Sequence, residues 1–144
     1  MKSATANFDG IDTIADVYLN GEKIGSADNM NRVWEYDITD LVAGDAADTV
    51  YQVKVVLHSP TKFIAEEEAK CPVGAASDAM PGFPHIRKAA CMYGWDWGPR
   101  LVTSGIWRPV YLEGWSGARI SDVFYRQQEV TARRARVEVE VEIA

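Results

Sequence analysis

Apolar and polar residues alternate along much of this chain, and a period of two predicts short strands rather than helices. Ile11, Thr13, Ala15, Val17 and Leu19 fall on one parity, with Asp12, Asp16 and Asn20 on the other. Asn20-Gly21 reads as a two-residue hairpin turn, since both residue types tolerate positive φ, and Glu22–Gly25 as the short return strand. Trp34, Tyr36 and Ile38 share a face, and a single helical turn is expected over Asp37–Leu41. Thr49–His58 reads as the clearest interior strand, with Tyr51, Val53, Val55 and Leu57 facing one way and Gln52 and Lys54 the other. Ser59-Pro60 stops it and predicts a short helix through Lys70, with Ser at the cap and Pro at the first helical position.

Beyond Lys70 the pattern dissolves. Cys71–Pro84 holds Pro72, Gly74, Pro81, Gly82 and Pro84 and reads as a long irregular loop. Val110 and Leu112 resume a strand, which Pro109 places at an edge or bulge. Gly114-Trp115-Ser116-Gly117 reads as a linker, followed by strands over Ile120–Tyr125 and Arg134–Ile143. In the last strand Val137, Val139, Val141 and Ile143 oppose Arg136, Glu138, Glu140 and Glu142, and no later sequence covers the apolar face. Met1–Ala6 is small and polar and reads as frayed. Many short alternating strands with turn signals and one weak helix argue for an all-β sandwich.

The 144 residues allow one full domain and part of another. A formal charge of -6 argues against a nucleic-acid partner. The cluster Arg133, Arg134 and Arg136 is surrounded by Glu129, Glu138, Glu140 and Glu142, as on a solvated strand face. No apolar run approaches the roughly 20 residues of a membrane helix, so no membrane partner is expected. Residues 1–15 lack a signal-peptide pattern, which makes the cytoplasm the expected location. Cys71 and Cys91 lack C-x-x-C spacing and only two His are present, so no metal site is expected; two free, partly buried thiols are the favoured reading, with a disulfide closing the 71–91 loop as the alternative. No motif calls for a cofactor. Glu66-Glu67-Glu68 reads as solvated, and His58 and His85 as structural.

Candidate chemistry concentrates in Tyr93–Val110, which holds three of the five Trp residues. Trp95 and Trp97 flank the single carboxylate Asp96, with Gly94 before them and Gly98-Pro99 after, as on a shaped loop. Two indole faces beside a carboxylate suit a sugar: the faces stack on its C–H surfaces and the carboxylate accepts from its hydroxyls. The alternative is that all three Trp are core and Asp96 caps a turn.

Gly94-Trp95-Asp96-Trp97-Gly98-Pro99, followed by Ser104-Gly105-Ile106-Trp107-Arg108-Pro109-Val110, resembles β-mannosidases of the glycoside hydrolase family that also holds β-galactosidases and β-glucuronidases. Phe8–Thr13, Ala15–Gly21, Asp28-Asn29-Met30 and Leu57-His58-Ser59-Pro60 are similar to the amino-terminal domain of those enzymes, in the same order. The resemblance implies a truncated jelly-roll, galactose-binding-domain-like sandwich over residues 1–113, a linker over 114–118, and the opening strands of an immunoglobulin-like sandwich over 119–144. It implies a fragment that begins partway into the jelly roll. The rest of the immunoglobulin-like domain and a (β/α)₈ barrel with both catalytic glutamates would be partners elsewhere in the parent enzyme.

By the same resemblance the parent hydrolyses terminal β-mannosides with retention, and this chain holds no catalytic residue. Asp96 would bind hydroxyls of the β-mannoside, Trp95 and Trp97 would shape and dry the pocket, and Trp107 and Arg108 would lock the loop's base by packing and an ion pair. Arg87 and Tyr93 are weaker candidates for the pocket. A stand-alone carbohydrate-binding module and a sandwich scaffold or interaction domain stay as alternatives. Open sheet edges and the bare Val face permit a homodimer by strand exchange or edge pairing.

Overall fold

The computed structural model describes residues 3–46, 48–75 and 78–144. In chain order the strands are β1 (Ser3–Phe8), β2 (Ile11–Asp12), β3 (Ala15–Leu19), β4 (Glu22–Ala27), β5 (Trp34–Asp37), β6 (Val53–Leu57), β7 (Gly105–Ile106), β8 (Val110–Trp115), β9 (Ile120–Val130) and β10 (Ala135–Ile143). The helices are α1 (Thr39–Val42) and α2 (Pro60–Lys70), with 3-10 turns at Phe83–His85 and Ala90–Tyr93.

Two three-stranded antiparallel sheets, ordered β5-β1-β8 and β4-β3-β6, supply the sandwich. Its core is Ala4, Ala6 and Phe8 of β1 with Ala15, Val17 and Leu19 of β3, closed by Ile11, Ala27, Ile38 and Val42. These β1 and β3 residues alternate along their strands, which is why every second side chain reaches the same interior. The Asn20-Gly21 turn has φ of 49° and 89°, the mirror-image geometry that matches strand twist. Asn20 also accepts from the Gln52 backbone N–H at 2.8 Å, tying the turn to the segment before β6.

The structure corrects several expectations. Of the residues expected to fray, Met1 and Lys2 lie outside the described residues, and Ser3–Ala6 do not fray: β1 is a central strand hydrogen-bonded on both edges, with Ala4 and Ala6 buried. Small side chains conceal this because sheet position is set by ladder bonds rather than side-chain bulk. β6 is shorter than expected and pairs only with β3, so among the described residues it is an edge strand with Val53, Val56 and Leu57 exposed. Alternation reports which face is apolar and not how many neighbours a strand has. Gly114 and Trp115, expected in a linker, are the final paired residues of β8, opposite Ala4 and Ser3.

Helix α2 begins as its cap predicts, with Ser59 Oγ accepting from the Lys62 N–H at 3.3 Å. Its buried Ile64 joins Ile86 and Tyr93 in a second, smaller core, flanked by Ile14, Phe63, Met80, Phe83 and Val102. Glu68 is not simply solvated: it pairs with His85 at 3.1 Å and accepts from the Val73 N–H at 3.2 Å. Cys71 and Cys91 are free and exposed rather than partly buried. The β9–β10 hairpin leaves Val123, Tyr125, Val137, Val139 and Val141 exposed.

Candidate functional site

The Trp95-Asp96-Trp97 triplet rides on a loop laid over the second core. Tyr93 ends the 3-10 turn and is wholly buried, with its backbone carbonyl accepting from the Met80 N–H at 2.9 Å. Gly94 follows at φ 126°, and a Cβ there would lie 2.4 Å from the Asp78 carbonyl oxygen, so glycine alone permits this approach. The same Asp78 carbonyl accepts from Arg100 Nη2 at 2.9 Å, which fastens the far limb of the loop to the upstream segment that Gly94 packs against.

The turn itself closes with the Gly98 N–H on the Trp95 carbonyl at 2.7 Å. Asp96 and Trp97 both adopt left-handed backbone, at φ 45° and 57°. That backbone costs an L-residue about 1–2 kcal/mol; Asp commonly offsets it with a local side-chain hydrogen bond, which Asp96 does not make among the described residues, and a bulky residue such as Trp there is an outlier. The turn presents rather than hides its side chains: Trp95 is 66% and Trp97 96% exposed. Among the described residues the Asp96 carboxylate has no hydrogen-bond or ion-pair partner.

Trp95 and Asp96 line an open pocket of about 130 Å³ together with Asp78, Ala79, Phe83, Ala90 and Gly94. Trp97 is outside that lining. The alternative that all three Trp are core is therefore overturned, since Trp107 is also exposed. Arg87 is exposed and outside the pocket, its carbonyl taken by the Met30 N–H at 2.9 Å. Tyr93 lies beneath the loop instead of in the pocket, and its hydroxyl has no partner among the described residues. Burial, and secondly the charge of Asp12, push that phenol up to about 12.

Trp107 and Arg108 follow β7, which pairs with β2. The Trp107 indole covers Gly10, where a Cβ would meet Nε1 at 2.5 Å, and the Arg108 guanidinium stacks over the indole at 4.2 Å. No ion pair of Arg108 is found among the described residues, so a cation–π stack takes the place of the expected salt bridge.

One element of the site escaped the sequence reading. Asp12, expected on a polar face, is buried and ion-paired with Lys88, whose side chain is 0% exposed. Lys88 Nζ also donates to the Thr103 carbonyl at 2.7 Å. Strand parity assigns Asp12 to the polar side, and only a lysine 76 positions later reveals that this side is also covered.

Comparison with known proteins agrees with this architecture. A family model described as glycosyl hydrolase 2 galactose-binding domain-like matches residues 1–108. The goat β-mannosidase is 36% identical over 117 residues, covering 76% of this chain and 13% of that protein. β-Mannosidase B of Aspergillus terreus is 38% identical over 121 residues, covering 81% of this chain and 14% of that protein. The crystal structure of a β-D-mannosidase from Dictyoglomus thermophilum superposes with a TM-score of 0.85 at 38% identity, over 98% of this chain and 17% of that one. The chain thus spans less than a fifth of the relatives it matches. With three quarters of its length inside the matched domain and that domain's sandwich in place, the chain belongs to the glycosyl hydrolase 2 galactose-binding domain-like family.

Proposed function

We propose that this chain is the non-catalytic amino-terminal part of a retaining β-mannosidase-like hydrolase and that its Trp95–Trp97 turn touches the sugar. The observation that carries this is the pair of consecutive left-handed residues at Asp96 and Trp97 on a turn that exposes two indoles and an unpaired carboxylate. Strain of this kind persists where surrounding structure over-determines it, and it concentrates at ligand contacts. Asp96 accepts from sugar hydroxyls, Trp95 gives the ring a stacking wall, and Trp97 shields the mouth. Trp107 and Arg108 stiffen the exit strand. The two carboxylates that perform hydrolysis act as nucleophile and as acid then base, and belong to a barrel outside these residues.

The pocket's about 130 Å³ is well under the roughly 300 Å³ of a small ligand site, so the loop supplies one wall and another domain the rest. The test is a hybrid in which this chain replaces the matching segment of the Dictyoglomus thermophilum enzyme. With the hybrid active on an aryl β-mannoside, Asp96→Ala is expected to lower kcat/KM about 100-fold, the scale of losing a charged hydrogen bond to substrate. Unchanged kinetics would leave the loop as scaffold.

The stand-alone binding module is the second reading, favoured by the exposure of Trp95 and Trp97 side by side on one turn. Millimolar or tighter binding of mannobiose by the isolated chain would support it. Pairing with another copy through the free edge of β10 belongs to the same proposal, and size-exclusion chromatography reads it directly.

A further inference from the structure

We infer that Lys88 is the positioning residue of the Trp95-Asp96-Trp97 loop: its ammonium clasps the two limbs of the loop together and pins them to β2. The chain enters the loop through Lys88 and leaves it through Thr103. Lys88 Nζ donates to the Thr103 carbonyl at 2.7 Å and, with another of its hydrogens, to Asp12 Oδ2. Asp12 Oδ1 is occupied in turn by the Thr13 hydroxyl. The lysine side chain is 0% exposed and that of Asp12 6%. Both limbs and the sheet therefore meet at one cation.

An ion pair at this depth is poor economy for stability alone, since desolvation offsets most of the attraction and apolar substitutes often serve as well. What an apolar pair cannot do is bind a carboxylate and a carbonyl from different segments at once. An ammonium, with three donors, can. The loop needs such a tie because its turn holds two strained residues, and backbone strain is retained only where the surroundings fix it. The clasp stands on geometry; only its consequence for catalysis rests on the sugar-contact reading.

Two substitutions separate positioning from bulk stability. Lys88→Met removes the clasp and strands Asp12. Asp12→Asn with Lys88→Met removes both charges and keeps an acceptor for Thr13, so much of the thermal stability returns while the Thr103 tie stays broken. The readout is the rate of tryptic nicking after Arg100 in the loop, relative to nicking after Arg133 and Arg134 in the hairpin turn. Proteolysis of a native protein tracks the opened population, so both variants are expected to raise this ratio about tenfold or more.

In the hybrid enzyme both variants should raise KM for an aryl β-mannoside more than they lower kcat. If the double variant regains the parental nicking ratio along with its Tm, or if Lys88→Met leaves the ratio unchanged, the clasp is overturned. If nicking rises while KM stays constant, the clasp holds and the sugar-contact reading fails instead.

Discussion

Arg119 Nη1 donates to the Glu113 carboxylate at 2.6 Å, and this bond ties the root of the β9–β10 hairpin to β8 of the sandwich. Nη2 reaches Glu35 of β5 at 3.4 Å, and the guanidinium stacks over Trp115 at 4.3 Å. The backbone of Arg119 exchanges two hydrogen bonds of 2.9 Å with Ala144, closing the hairpin's open end. One side chain thus gathers β5, β8 and the hairpin. Arg119→Ala is expected to cost about 1 kcal/mol, the sum of partly exposed ion pairs and one cation–π contact. Hydrogen exchange should locate the loss in β9 and β10, with β1 and β3 protected as before.

Removing one member of the Asp12–Lys88 pair leaves the other charged and buried. Lys88→Met alone should therefore cost about 3–5 kcal/mol in urea unfolding. Asp12→Asn with Lys88→Met should cost clearly less than the sum of the single changes. Additive costs would show that the two side chains do not act as a pair.

Ser59 satisfies the Lys62 N–H at the start of α2. Ser59→Ala is expected to lower stability by about 1 kcal/mol, and Ser59→Gly by only a few tenths. Helix α2 covers the second core through Ile64, so the shift should appear in the global urea midpoint rather than as local fraying.

Asp16 governs part of the acid limb of stability. Hydrogen bonds from Lys23, then His58, then Ser26 hold its carboxyl well below its ordinary value of 3.8. A carboxyl depressed in the folded state contributes stability that is complete above the unfolded value and fades as pH falls through the folded one. The contribution is therefore intact at neutral pH and lost progressively below about pH 4. Asp16→Asn should flatten the pH dependence of Tm in that window and leave the slope above pH 5 unchanged. The cluster is partly exposed, so added salt should shrink the effect.

Local structure was legible wherever one residue type has one conformational use. Asn20-Gly21 forms the expected turn, Ser59-Pro60 opens the expected helix, and Trp34, Tyr36 and Ile38 line one face as their spacing demands. The Trp95-Asp96-Trp97 loop was legible as a loop because Gly94 and Gly98-Pro99 bracket it. Its left-handed turn was not, since neither Asp nor Trp announces that backbone.

What the sequence determined by itself was the all-β class, the order of most strands and the place where indoles crowd a carboxylate. Those follow from interactions within a few residues: side-chain alternation, turn conformers and helix caps. The tertiary structure alone decided that Ser3–Phe8 is central, that β6 is an edge and that Asp12 is buried against Lys88. Each of these depends on which distant segment lies alongside. Strand ladders and buried charge pairs join positions tens of residues apart, and local patterns carry no record of that neighbour.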